Sequence, residues 1–447
     1  MKKTFIGAGL VLALALTGCS GGGNTPTPTP TDTAATSAAA APQNLTFLTH
    51  WGPDQVKMLE DAGAAYTKDH PNVTITIQAV PFANLLSTLR TQGTSPDGPT
   101  IVGIYDAWLP ELVRDGLAAK APADVASDVK ANWPAGVVSA ASQGGDVYGV
   151  PNEIDLYALN YNQALFDKAG ITAPPTTWDE LTADAQKIAA LGDGIQGIGF
   201  ITNWVSGVVH PFLSLLASNG GTFLTPDGKA AALDSKAALE TAQLYQKLVD
   251  TKATNLTMSP ANANTTGPFL DNFANGKTGM IIMANWWQSS VKDAMGANFD
   301  QIKTAPIPKG PSGSKVSSIS YSWMTMVNAA ANPDRQAAAW AFLQWLNGPT
   351  SGTNATSAMG NILLSMGILP TRNSDVTANA ATLGTPFLKT YVDEMKDATP
   401  FPTVIGGPAA ADALQKQIES LLAGQVDAAT AMSGAVKDVN SALSAAQ

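Results

Sequence analysis

The chain has 447 residues, long enough for two domains of ordinary size, and its 45% hydrophobic content supplies a substantial core to each. Only 13% of residues are charged, 25 Lys and Arg against 35 Asp and Glu, for a net charge of −10. An acidic chain without a basic block excludes nucleic acid as a partner, because phosphate contacts need clustered Lys and Arg.

The N-terminus reads as an address. Lys2 and Lys3 form a positive region, and Phe5 to Leu16 an apolar run too short to span a bilayer. It ends in Leu16-Thr17-Gly18-Cys19, which resembles the lipobox of bacterial lipoproteins. Small residues at 17 and 18 let a peptidase reach the backbone, and the Cys19 thiol is the atom that takes the lipid. Cys19 is the only cysteine, so it has no disulfide partner and no companion metal ligand. The expectation is a signal peptide over 1–18, then a lipidated Cys19 and a tether through residue 43, whose Gly and Thr-Pro repeats give reach without a core. The body would stand outside the cytoplasm, on the outer face of the cell membrane or on the periplasmic side of a cell with an outer membrane. The lipid would be its membrane contact.

Leu45 to Thr49 and Val73 to Val80 alternate and are β-branched, as strands require, and Thr100 to Tyr105 reads as a third. Between them, Pro53 to Lys68 and Phe82 to Thr91 read as helices, and Trp108 to Arg114 as another. This order implies a mostly parallel sheet covered on both faces, with ligands beyond the carboxyl ends of the strands. The segments at those ends, His50-Trp51-Gly52-Pro53-Asp54 and Asp106-Ala107-Trp108, carry aromatics beside an acid or an imidazole.

The stretch from Asn152 to Leu181 organises the remainder of the chain. Leu156 to Tyr161 reads as a strand and Gln163 to Ala169 as a helix stopped at Gly170. Pro174 and Pro175 then turn the chain into a new helix, announced by the capping box of Thr177 and Glu180. The stretch is expected to leave one lobe and found a second, with Glu153 and Asp155 facing the cleft between them. Gly197 to Thr202 reads as a strand, Pro211 to Ser218 and Ser235 to Lys252 as helices, and Lys277 to Met283 as a strand delivering Asn285-Trp286-Trp287. Pro306-Ile307-Pro308 reads as a second crossing, Trp323 to Val327 as a strand, Pro333 to Leu346 as a helix, and Gly367 to Arg372 as a third crossing. Two helical segments, Ala411 to Ala423 and Ala428 to Leu443, complete the chain.

From Asn44 onward these motifs, in this order, resemble the sugar-binding lipoproteins of bacterial ABC importers, the extracellular solute-binding proteins related to maltose-binding protein. The most specific pieces are Leu159-Asn160-Tyr161-Asn162 with Leu165-Phe166, Ala169-Gly170-Ile171, and Pro175-Thr176-Thr177-Trp178-Asp179-Glu180-Leu181. Phe273 to Met280 ending in Trp286, Pro306-Ile307-Pro308, Tyr321-Ser322-Trp323 and Gly367-Ile368-Leu369-Pro370 complete the series. Asn160 departs from it, where an aromatic is commoner, as does Tyr321-Ser322, where small glycine-rich pairs are commoner.

The resemblance implies an α/β, two-lobe periplasmic-binding-protein fold of type II, each lobe a mainly parallel sheet flanked by helices, joined by three hinge crossings. Lobe 1 would hold 44–152 plus 304–371, and lobe 2 153–303 plus 372–447. It implies a monomer without catalysis or cofactor, closing on a carbohydrate, such as a disaccharide, and delivering it to the permease subunits of an ABC transporter.

A sugar ring offers an apolar C–H face, which an aromatic face covers, and a rim of hydroxyls, which carboxylates, amides and arginine satisfy. By position, Trp178, Trp340 and Trp345 are expected in packing, and Trp51, Trp108, Trp204, Trp286 and Trp323 are candidates for the cleft wall. Of Trp286 and Trp287, one is expected to face the ligand. Asp106 and Asp155 match family positions that bond sugar hydroxyls; Glu153 shares one side of an extended chain with Asp155. Asn203 is an amide candidate, and Arg372 either forks onto two hydroxyls or forms a hinge ion pair. His50, His70 and His210 have no metal-ligand spacing and are expected to be structural, with no metal site. Two rival readings stay open: a binder of the same fold for a polyol or glycerol phosphate, and a secreted glycoside hydrolase using Glu153 and Asp155.

Overall fold

Alternating β-branched runs form strands and the segments between them form helices in a computed structural model that describes residues 41–260 and 267–447. The predicted signal peptide, Cys19 and the tether up to residue 40 lie outside the described residues. Strands β1 (Gln43–Thr49), β2 (Val73–Ala79) and β3 (Ile101–Tyr105) pair in parallel, with β1 central. The connections run through helices Pro53–Asp69 and Phe82–Gln92. The first of these helices buries Leu59, Ala62, Gly63 and Tyr66. Gly63 is needed there, because a Cβ would come within 3.2 Å of Ile75 on β2.

A short hairpin, β4 (Ser142–Gln143) and β5 (Asp146–Val147), leads into β6 (Gly149–Asn162), a strand of 14 residues. The later strands are β7 (Gln196–Gly199), β8 (Thr278–Ala284), β9 (Ile302–Ala305), β10 (Ile319–Val327), β11 (Leu369–Pro370) and β12 (Thr399–Pro400). The sheet order is β2-β1-β3-β10-β6-β8-β7, with β9 and β11 on β6 and β12 on β10. β6 is shared. Its first half pairs antiparallel with β10, and its second half pairs with β8 and β9. β10 is shared likewise, since Ile319 and Ser320 pair with β12 while Trp323 to Val327 pair with β3. The result is a two-lobed α/β fold in which β6 and β10 cross side by side.

Where sequence and structure differ, a tertiary contact decides. β6 begins at Gly149, well before the predicted Leu156, because pairing with β10 recruits Gly149 to Pro151 and Glu153 to Asp155 into a strand that a proline and two acids disguise. The helix predicted from Pro211 starts at Val205 with the proline inside it, and Gly207 to Ser218 are all buried. The Pro306–Pro308 turn is not a crossing. Trp178 donates its indole N–H to the Pro308 carbonyl at 3.0 Å, and Lys309 exchanges backbone hydrogen bonds with Thr176 and Trp178. The turn is therefore tied to the start of helix Trp178–Ala189, and the passage beside β6 is made by β10. Helices Ala358–Ser365 and Pro386–Glu394 were not anticipated, being too short to establish a period. On helix Lys236–Asp250 the buried face runs through Ala238, Ala242, Tyr245 and Leu248, while Leu239 and Val249 sit at its margin.

The capping box that announces helix Trp178–Ala189 forms fully. Thr177 Oγ1 accepts from the Glu180 amide at 3.3 Å, and the Glu180 carboxylate accepts from the Thr177 amide at 3.1 Å. Thr177→Ala is expected to lower stability by about 1 kcal/mol, read as a lower urea midpoint with unchanged slope.

Candidate functional site

Period two along two neighbouring strands builds the wall of the main cavity. Trp323 lies opposite Glu153 and Tyr321 opposite Asp155 in the β10–β6 register. Residues two apart in a strand share a face, so two acids and two aromatics are presented together. The register shifts between Trp323 and Met324, a local irregularity just beyond this patch. The cavity, of about 810 Å³, is lined by all four.

Strand ends complete it. β1 ends at Thr49 and delivers His50 and Trp51; β3 ends at Tyr105; β8 ends at Ala284 and, through the turn Asn285–Trp287, delivers Trp286. Trp204 and His210 come from the start and middle of helix Val205–Ser218 and line the same space. Asn285 fixes this junction. Its Oδ1 accepts from the Leu156 amide and its Nδ2 donates to Asp155 Oδ1, both at 2.9 Å.

Six of the residues singled out from the sequence come together on the cavity: Trp51, Glu153, Asp155, Trp204, Trp286 and Trp323. Four do not. Trp108 is buried behind Trp323, edge to face at 5.7 Å. Asp106 is buried beneath the wall, where its Oδ2 accepts from the Ser322 amide at 2.8 Å. Arg372 lies 4.7 Å over the Trp133 ring and 3.6 Å from Asp128, so it holds an ion pair and not a hydroxyl fork. Asn203 is exposed in the turn ahead of Trp204 and does not line the cavity. Trp287 is buried against Phe269 at 5.6 Å, leaving Trp286 to face the space. Trp178 and Trp340 are core residues, and Trp345 stacks on Phe342.

Sequence reasoning missed Tyr105, Tyr321, His50 and His210 as wall residues. Tyr321 was legible, since it stands two residues before Trp323 in a strand. His210 had no signal, because it sits within an apolar helix. It lies between two phenols, with Tyr157 Oη 3.2 Å from Nδ1 and Tyr105 Oη 3.3 Å from Nε2, and burial pushes its pKa down to about 3. His50 stacks on Trp323 at 4.4 Å, and burial lowers it to about 4, so both rings are neutral. His70, outside the cavity, stacks on Tyr66 at 4.0 Å.

The acids lack a cation. Among the described residues, no ion pair engages Asp106, Glu153 or Asp155, which are 3%, 4% and 1% exposed. Desolvation therefore favours their protonated forms. Asp106 is raised to about 8 and Asp155 to about 7, with the Asn285 bond holding Asp155 down in part; Glu153, buried beside Asp155, is raised well above the usual range. Among the described residues, no group of three or more His, Cys, Asp or Glu could hold a metal ion. None of their helices is long and apolar enough to cross a membrane.

Residues 52–353 match the family described as bacterial extracellular solute-binding protein. A binding protein of Brucella abortus is 30% identical over 287 residues, covering 64% of this chain and 67% of that one. The cyclic α-maltosyl-1,6-maltose binding protein from Arthrobacter globiformis superposes with a TM-score of 0.72 at 27% identity, covering 90% of this chain and 99% of the other. The GacH receptor of Streptomyces glaucescens, solved unliganded and with acarbose, superposes with a TM-score of 0.77 at 21% identity, covering 91% and 100%.

The buried acids make stability depend on pH. Asp106 and Asp155 keep a proton in the folded chain that a free carboxyl, at 3.8, has lost. Above 6.5 a free histidine is neutral, so His50 and His210, lowered on folding, no longer oppose this trend. From 6.5 to about 8 the folded state thus binds more protons than the unfolded, and stability falls as pH rises. The thermal midpoint is expected to be lower at pH 8 than at pH 6.5, by about 1 kcal/mol of stability per pH unit for Asp106. Asp106→Asn should flatten that slope.

Proposed function

Because the chain belongs to the bacterial extracellular solute-binding protein family, we propose that it is the capture component of an ABC importer for a carbohydrate, an oligosaccharide of about disaccharide length. The observation that carries the reading is the cavity wall itself. Tyr321 and Trp323 face the same space as Asp155 and Glu153 from paired strand positions, and Trp204 and Trp286 line the same cavity. Aromatic faces for C–H surfaces and acceptors for hydroxyls are what a sugar ring requires. The sugar would lie between the lobes, its contacts to both drawing them together for a membrane permease. The lobes we infer are 44–152 with 319–371, and 153–318 with 372–447, the second passage carried by β10 and not by the Pro306–Pro308 turn.

Binding without turnover fits the acids' placement. Glu153 and Asp155 sit side by side on one strand face and act on each other, whereas hydrolysis needs two carboxyls on opposite sides of a glycosidic bond. A phosphate-bearing solute is disfavoured as well, because among the described residues Lys292 is the one lysine or arginine on the cavity. Lipidation at Cys19 and the tether to residue 43 would keep the body at the membrane face, where its permease lies.

Titrating mono-, di- and trisaccharides and polyols should find one that raises the thermal midpoint saturably and without turnover. Trp286→Ala, which removes a half-buried ring on the cavity, should weaken that ligand about tenfold with the fold retained. Trp323→Ala is a poorer probe, since Trp323 also supports His50, Phe82, Tyr105 and Trp108, and its loss should cost about 3–5 kcal/mol of stability. Turnover of the ligand, or no stabilisation by any saccharide, would reject the reading. Expressed in a lipoprotein-processing bacterium, the chain should partition into the detergent phase of Triton X-114 and Cys19→Ser into the aqueous phase.

A further inference from the structure

Resting on the carbohydrate reading above, we propose that the ligand is an amino sugar, its protonated nitrogen seated against Glu153 and Asp155. The charge inventory of the cavity points there. Asp54, Glu153, Asp155 and Asp293 line it against Lys292 alone, and Asp54, Lys292 and Asp293 are exposed at its margin. Inside, Glu153 and Asp155 stand adjacent on β6 with no arginine, lysine or charged histidine near them. Glu153, 4% exposed, has its Oε2 buried without a hydrogen-bond partner, while Asp155 accepts from Asn285 and shares a hydrogen bond with Glu153.

A neutral hydroxyl answers such a pair incompletely. It satisfies lone pairs but leaves the charge buried, and closing a ligand over two desolvated carboxyls raises the electrostatic cost further. An ammonium group supplies three donors and the missing charge together. The surrounding rings fit the same chemistry, because Trp286, Trp323, Tyr105 and Tyr321 line the cavity and an aromatic π face attracts a cation.

In the empty cavity the pair relieves itself by retaining a proton. Burial raises both, and the charge of Asp155 and its hydrogen bond push Glu153 further, well above its ordinary value, while bonds from Asn285 and Glu153 hold Asp155 to about 7. Docking an ammonium stabilises both carboxylates, so the carboxyl O–H bond breaks and the proton passes to the buffer while the ligand keeps its own. Affinity for the amine is therefore expected to rise with pH up to the amine's own titration, as competition from the retained proton fades. Asp106, beneath the wall and raised to about 8, also feels the charge of Asp155 and adds to the proton release above pH 7; Tyr105, Tyr157 and Tyr321, pushed up by burial and by Asp155, stay neutral, and Asp54, Lys292 and Asp293 stand exposed at the margin. His50 and His210, neutral throughout this range, contribute no change of charge.

The test compares saccharides in matched forms, with free amine, N-acetylated amine and hydroxyl at one carbon, as mono- and disaccharides, by isothermal titration calorimetry at pH 7. The amine should bind about tenfold or more tightly than its hydroxyl counterpart. Its binding heat should vary with the buffer's ionisation enthalpy, as proton release requires, and Glu153→Gln should shrink the amine-to-hydroxyl ratio and that buffer dependence together. Equal or tighter binding of the neutral forms would overturn the inference and leave the carbohydrate reading standing. An amine preference with no buffer dependence, untouched by Glu153→Gln, would overturn the assignment to this pair. Binding of no saccharide in any form would overturn both.

Discussion

The register between β6 and β10 is the constraint on which the site depends. It sets Trp323 across from Glu153 and Tyr321 across from Asp155 where both strands pass from one lobe to the other. A slip of one residue would turn all four side chains to the opposite face and bring Ile154 and Ser322 round in their place. The register is held from several directions. Ser322 Oγ donates to the Glu153 carbonyl, the Ser322 amide donates to Asp106, and β11 pairs with Ile154 and Glu153 from the other edge.

That arrangement places polar groups where a packed sheet would place apolar ones. Asp106, Glu153 and Asp155 are buried without a cation, and the phenols of Tyr105, Tyr157 and Tyr321 crowd the same region. Trp286 donates its indole N–H to Tyr321 at 2.7 Å, and Asn285 supports Asp155, so the region is orientated more than it is neutralised. A protein selected for stability alone would replace such acids with well-packed apolar residues at little cost. Their presence marks the place as one built for contact with something else.

Much of this was legible because local rules and tertiary context agreed. Pro53 to Lys68, Pro333 to Leu346 and the Thr177–Glu180 box announced themselves through period and caps, and the structure matches them closely. The strand-end tryptophans were legible as a class, since an aromatic just past a strand has no packing duty in a plain loop. Their individual facing was not. Trp286 and Trp287 are consecutive, and the choice between them depends on the turn that ends β8 and on Phe269 behind it. Trp108 and Arg372 carried the right chemistry, but Trp323 screens one, and Trp133 and Asp128 hold the other. The Pro306–Pro308 turn misled because proline marks a change of direction without saying toward which lobe.

Tyr105 ends β3, His210 belongs to helix Val205–Ser218, and Tyr157 sits on β6. Their contacts at 3.3 and 3.2 Å join neutral groups, because burial keeps His210 uncharged. This seam therefore behaves as a soft latch. Parting Tyr105 from His210 exchanges one neutral hydrogen bond for water, a difference of about 1 kcal/mol, whereas a buried ion pair at the same place would cost several. A joint of that stiffness gives little bias of its own to either arrangement. The balance between them would be left to whatever bridges the two sides, as the ligand proposed above would do.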